Sequence, residues 1–250
     1  MAPPISVQLY SLRAETADDF EGVLRRLGTA GFVGVEPAGL LSLTPERFRS
    51  LVDEAGLRVS SAHVPLPVGG DANAVLDEQD AIGNDLLIAG AGPADFVDSD
   101  SVRRTADVFN EAAANARARG MTIGYHNHWW EFDHRIDGEV PYDLLARLLD
   151  PSIFFEIDIY WVKVGGLEPA DVIAGAGPRA RLLHVKDGPL EPRTPMTAVG
   201  AGKVDIGSAL EAGTAAEWHV VELDECGTDM FEAVEASHRH LVGSGLSAGR

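Results

Sequence analysis

The chain has 250 residues, is 45% hydrophobic and carries a formal net charge of −19. That length and apolar content allow a large core and exclude global disorder. The charge repels nucleic acid and anionic lipid at long range, so neither is expected as a partner, and no apolar run approaches the roughly 18 residues of a membrane-spanning helix. The start, MAPPISVQLYS, lacks the basic region and apolar core of a signal peptide, and the lone Cys226 leaves no internal disulfide framework. Both features lead to the expectation of a cytoplasmic location.

In chain order, β-rich runs fall at residues 5–11, 32–36, 58–64, 85–89, 121–126, 153–159, 181–186 and 218–223. Helical spacing fills the intervals. TADDFEGVLRRLGTAGF sets Phe20, Val23, Leu24 and Leu27 on one stripe, with Thr16 as the expected N-cap. TPERFRSLVDEAGL offers Thr44 as cap, Pro45 at the first helical position and Gly56 as terminator. SVRRTADVFNEAAANARARG closes on Gly120, and a last helix covers residues 231–241. VPLPVGGDA and KDGPLEPRTPMTAVGAGK read as long loops on the working face, and GSGLSAGR as a frayed tail.

Eight strands alternating with helices require parallel pairing through crossovers. At this length the expected fold is an α/β (β/α)8 TIM barrel formed by residues 1–250 as one domain. An open doubly wound sheet is the alternative, weakened because no glycine-rich phosphate motif follows the first strand.

A barrel of this kind works at the C-terminal ends of its strands. There the sequence places Glu36, His63, His126, Asp158, His184, Lys186, Glu222 and Asp224. His128 and Glu131 follow in GYHNHWWEF, which packs two histidines, two tryptophans and a glutamate into nine residues. Alternation puts Phe154, Glu156 and Asp158 on one face, Leu182, His184 and Lys186 on another, and Val220, Glu222 and Asp224 on a third. If His126, Asp158, His184 and Glu222 all point inward, two imidazoles and two carboxylates surround one small volume, a donor set suited to a divalent transition ion. Taken singly, each has a plainer explanation. His63 fits a hydrogen-bonded core histidine, Asp158 a helix cap, Glu222 a partner for Lys186, and Trp129 serves equally as rim packing or as a sugar platform. Four ligand-type residues at successive strand ends are hard to explain as independent accidents.

The segments YHNHWWEF, EIDIYWVKVGG, LLHVKDG, AVGAGKVDI and VVELDE, in that order, resemble the sugar phosphate isomerase/epimerase group of xylose-isomerase-like barrels. The resemblance runs from SVQLYSLR to the last helix. It implies a metal-dependent barrel acting on a sugar, keto-sugar or inositol derivative, with one divalent ion (Mn2+, Co2+, Zn2+ or Mg2+). Asp158, His184 and Glu222 match the family's metal ligands. The first ligand, typically glutamate in ketose 3-epimerases, is here replaced by His126, which departs from the two-glutamate acid–base scheme. A histidine at that place looks more like inosose dehydratases and enzymes acting on 3-keto-glycosides. Glu131 is an alternative reach toward the ion or a substrate hydroxyl.

The expected chemistry is removal of a proton next to a carbonyl, leading to isomerisation, epimerisation or elimination. Glu222, His128 and His63 are the candidate bases, and Lys186 a donor to the developing oxyanion. Glu36, Glu131, Trp129 and Lys186 are the candidate substrate contacts. A second class of function is a non-catalytic sugar-binding or subunit protein on the same barrel. A third, DNA repair, needs a multi-zinc cluster and a basic surface that the charge argues against. The helical outer surface allows a homodimer.

Overall fold

The computed structural model describes residues 2–250. Nine strands, all parallel, form one sheet: β1 (Ile5–Gln8), β2 (Gly34–Glu36), β3 (Arg58–Val59), β4 (Ala62–His63), β5 (Leu86–Ala89), β6 (Thr122–His126), β7 (Phe154–Asp158), β8 (Ala180–Val185) and β9 (Trp218–Val221). Their order is β3-β2-β1-β9-β8-β7-β6-β5-β4. The two ends of that order are halves of the single run expected at 58–64, interrupted at Ser60 and Ser61. The interrupted run still pairs on both sides. Ser60 N donates to Val35 O (3.0 Å) and His63 N to Pro37 O (2.9 Å), while Val64 N donates to Ile88 O (2.9 Å). The sheet is therefore a nearly closed barrel of eight staves, as expected, and not an open doubly wound sheet.

Alternation divides the strand residues into two cores. Val7, Val35, Ile123, Tyr125, Phe155, Ile157, Leu183, Val185 and Val221 are buried in the layer shared with the helices. Leu86, Ile88, Phe154 and Leu182, with Trp218 beside them, form a separate cluster that fills the lower barrel. Gly124 makes room for that plug, since a Cβ there would stand 2.5 Å from the Phe154 ring. Above it the inward positions turn polar.

The helices are α1 (Arg13–Ala30), α2 (Pro45–Glu54), α3 (Ala72–Ile82), α4 (Ser99–Arg117), α5 (Pro141–Leu148), α6 (Ile159–Val164), α7 (Pro169–Ala176), α8 (Ile206–Ala212) and α9 (Met230–Gly243). Thr44 caps α2 by accepting from Arg47 N, and Gly56 follows its end at φ +71°, as expected. Thr16 is not a cap. A 3-10 turn over Leu9–Leu12 starts α1 earlier, and the Thr16 hydroxyl bonds back to Leu12 O (2.8 Å). Asp19 interrupts α1 with non-helical dihedrals and caps its second part through Gly22 N (2.8 Å). No helix among the described residues is long and apolar enough to cross a membrane.

The C-terminal tail is docked rather than frayed. Ala248 O accepts from Ile5 N (2.9 Å), Ala248 N donates to Pro3 O (2.8 Å), and Arg250 N donates to Gly31 O (2.9 Å). Backbone groups at the bottom of β1 and the end of α1 lack sheet or helix partners, and the tail supplies them. The long loop after β8 is built on Asp187. Its Oδ1 accepts from Gly188 N (2.8 Å) and Val204 N (3.1 Å), and its Oδ2 from Gly200 N (3.0 Å) and Gly202 N (2.9 Å).

Candidate active site

Two tiers of polar side chains occupy the upper barrel. The upper tier holds His126 from β6, Asp158 from β7, His184 from β8 and Glu222 just past β9. One ligand-type atom from each lies within 4.8 Å of the others. His184 Nδ1 is 2.8 Å from Glu222 Oε2, and His126 Nε2 is 3.9 Å from Asp158 Oδ2. Asp158 Oδ1 caps α6 by accepting from Trp161 N (2.9 Å), which fixes the carboxylate and turns Oδ2 into the cluster. That Oδ2 is buried and is paired with the Lys186 ammonium. Lys186 Nζ is the neighbouring cation, 3.0 Å from Asp158 Oδ2, 2.6 Å from Glu222 Oε2 and 3.1 Å from Asp224 Oδ2.

The lower tier holds Glu36, Glu156 and His63. Glu36 Oε1 pairs with His184 Nε2 (2.7 Å) and accepts from Gln8 Nε2 (2.8 Å), and the Ser61 hydroxyl donates to its Oε2. Glu156 Oε2 lies 2.7 Å from His63 Nε2, 3.0 Å from His126 Nδ1 and 3.2 Å from His184 Nε2. This second group of donors is also close enough to hold an ion. Its centre, however, is filled by Glu156 Oε2 itself, at hydrogen-bond distance from three nitrogens. The upper tier, which opens to the pocket, fits a divalent ion better. Its two nitrogens and two carboxylate oxygens suit ligand distances of about 2.0–2.2 Å after small adjustments.

The charges follow from this packing. Burial opposes charge on Glu222, but Lys186 and His184 hold its carboxyl far below the ordinary range. Burial likewise opposes charge on His63, yet Glu156 and Glu36 push it up to about 10. Burial and the charge of Lys186 push His128 down to about 3. Burial raises Asp158 to about 6, against the pull of Lys186 and His184.

Above the cluster is a cavity of about 310 Å³, lined by Gln8, Tyr10, Ala38, His63, Gly90, His126, His128, Lys186, Glu222 and Asp224. It shares Ala38, His63 and Gly90 with a neighbouring groove of about 730 Å³. Of the sequence candidates, His63, His126, His128, Lys186 and Glu222 line the cavity, and Asp158 and His184 lie in the cluster at its floor. Glu36, expected to touch substrate, is fully buried one layer below, because the last residue of the short β2 faces inward at the level of Ser61. Glu131 is also fully buried, accepting from the Tyr125 hydroxyl (2.7 Å) and His128 N (3.0 Å). Trp129 packs between Trp130 and Trp161, with ring centroids 4.6 Å from each, and is not among the lining residues. Trp130 is the ring stacked on His128, at 4.2 Å and 12°. Glu156 was legible only as a face-mate of Asp158; a glutamate amid IFFEIDIYW, in a strand buried on both faces, was its signal.

A nearly closed parallel barrel with a buried histidine–carboxylate cluster at the C-terminal ends of its strands defines the class of protein. The xylose isomerase-like TIM barrel model matches residues 24–225, and the chain belongs to that family. A sugar phosphate isomerase/epimerase from Parabacteroides distasonis superposes with a TM-score of 0.84 at 23% identity, covering 99% of this chain and 96% of its own. The probable 3-DHS dehydratase AsbF of Bacillus anthracis superposes at 0.74 with 15% identity, covering 96% and 98% of the two chains. An L-ribulose 3-epimerase superposes at 0.70 with 15% identity, covering 98% and 94%. At such identities these likenesses concern the fold. No curated protein matches the sequence significantly.

Proposed function

We propose that the protein is a divalent-metal-dependent sugar isomerase or epimerase that removes a proton next to the carbonyl of a ketose or keto-sugar. The observation that carries this reading is the buried set of His126, Asp158, His184 and Glu222, with one ligand-type atom from each within 4.8 Å of the others, under an open cavity. These four residues are the proposed ligands. A divalent ion bound there, whether Mn2+, Co2+, Zn2+ or Mg2+, supplies a Lewis acid for the substrate carbonyl and its developing negative charge. The Lys186 ammonium, held by three carboxylates, donates to the same developing oxyanion. His128 is neutral at pH 7 and Glu222 is ionised, so both carry a lone pair for the proton. His63 is charged, which makes it a proton donor in this scheme rather than a base. A sugar or keto-sugar without phosphate fits best. No arginine lines the cavity or the adjoining groove, and the charge of the one lysine is more than offset by the three carboxylates around it.

The second reading is a dehydratase or lyase acting on a keto-inositol or 3-keto-glycoside. His126 in place of a glutamate and the charged His63 at the cavity wall favour it, since elimination needs one base and one acid for the leaving group. The test is metal analysis of the protein reloaded with Mn2+ after chelation, followed by a panel of ketoses and 3-keto-sugars in heavy water. About one ion per chain and solvent deuterium at the carbon beside the carbonyl support the proposal. No ion and no exchange leave a non-catalytic sugar-binding protein.

A further inference from the structure

We propose that Glu36 and Glu156 are positioning residues that turn opposite ring nitrogens of two histidines toward the ion, Nδ1 of His184 and Nε2 of His126. The inference rests on the metal reading above. A neutral imidazole has one N–H and one lone pair, and the acceptor of the N–H decides which nitrogen remains for a metal. The nearest acceptor to His184 Nε2 is Glu36 Oε1 at 2.7 Å, ahead of Glu156 Oε2 at 3.2 Å. His126 Nδ1 meets Glu156 Oε2 at 3.0 Å. With those hydrogens committed, the nitrogens left for an ion are His184 Nδ1, 2.8 Å from Glu222 Oε2, and His126 Nε2, 3.9 Å from Asp158 Oδ2. The two rings of the upper tier are thereby oriented from below.

Neither carboxylate is free to reorient. Glu36 is pinned by Gln8 from β1 and Ser61 from the break between β3 and β4. Glu156 is pinned by His63 at 2.7 Å. Both have no solvent exposure, so neither is placed to touch a substrate. Their effect passes through the two rings.

The test uses the full chain labelled with 15N-histidine and loaded with Zn2+, read by two-bond nitrogen–proton correlation spectra. The expected result is one zinc-bound histidine ligating through Nδ1 and another through Nε2. Both ligating through the same ring position overturns the proposal. Co2+ titration of Glu36→Leu and Glu36→Gln is the second measurement. Affinity falls by about 10- to 100-fold in Glu36→Leu, with an altered visible spectrum, and by less in Glu36→Gln, whose amide oxygen still accepts. Should Glu36→Leu fail to fold, the near-isosteric Glu36→Gln carries the test, and wild-type affinity and spectrum in it overturn the proposal. Wild-type protein that takes up neither ion overturns the metal reading itself, a result distinct from ions bound through the wrong nitrogens.

Discussion

The Tyr125 hydroxyl donates to Glu131 at 2.7 Å, six residues along the chain, and the same carboxylate accepts from His128 N at 3.0 Å. Glu131 thus closes the GYHNHWW turn from inside, placing His128 at the cavity wall. Burial raises its carboxyl to about 8, opposed by Tyr125 and the backbone donors. Glu131→Ala is expected to leave two buried donors unpaired and to cost about 1–3 kcal/mol. Turnover falls as His128 loses its position. Co2+ affinity stays at the wild-type value, because none of the four proposed ligands bonds to Glu131. Urea unfolding alongside a Co2+ titration checks this. A large loss of metal affinity would falsify the assignment of Glu131 to the turn alone.

Asp158 serves two structures at once, and two substitutions separate them. Asn at 158 keeps an oxygen for Trp161 N but no carboxylate for Lys186, so Asp158→Asn is expected to fold with some loss of stability yet retain no ion after chelation and reloading. Asp158→Ala also loses the cap, at about 1 kcal/mol more. Elemental analysis and thermal melts of the pair give the answer. An ion retained by Asp158→Asn removes this carboxylate from the metal set.

The barrel was legible because its strands are short apolar runs separated by helical spacing, and the upper tier because His126, Asp158, His184 and Glu222 end consecutive strands. What alternation alone does not show is depth. Glu36 and His63 both end strands, yet one is sealed beneath the cluster and the other lines the cavity, a difference set by the break at Ser60 and Ser61. Asp187 escaped notice for a related reason. Its four backbone donors come from a loop whose path depends on the aspartate itself. The tail misled because GSGLSAGR is polar and glycine-rich, whereas its order comes from carbonyls elsewhere in the chain.

The docked tail has a measurable consequence. Truncation after Leu246 removes the partners of Ile5 N, Gly31 O and Phe32 O, and the Ser247 hydroxyl that pairs with His219 Nδ1 at 2.8 Å. A loss of about 2–5 kcal/mol is expected from several buried groups left unpaired. Equal urea midpoints for the full and truncated chains would return the tail to the status of a frayed end.

His219 lies in the same corner and sets the last expectation. Burial pushes it down to about 4 from 6.5, so it is neutral in the folded chain at pH 7. The unfolded chain takes up its proton near pH 6.5, before the folded chain does. A histidine lowered on folding therefore contributes stability that is present above about 6.5 and lost as pH falls toward 4. The full loss is on the order of 3 kcal/mol. His63 works in the opposite sense: raised to about 10, its contribution is complete below 6.5 and disappears only as pH climbs through 10. Between pH 7 and 5 the loss of stability from these two residues thus comes from His219, and His63 offsets part of it. Urea unfolding at the two pH values is expected to show a smaller drop in His219→Gln than in the wild type. An undiminished drop would place the acid sensitivity elsewhere, with His126 and His128, also held neutral by burial, as the next residues to replace.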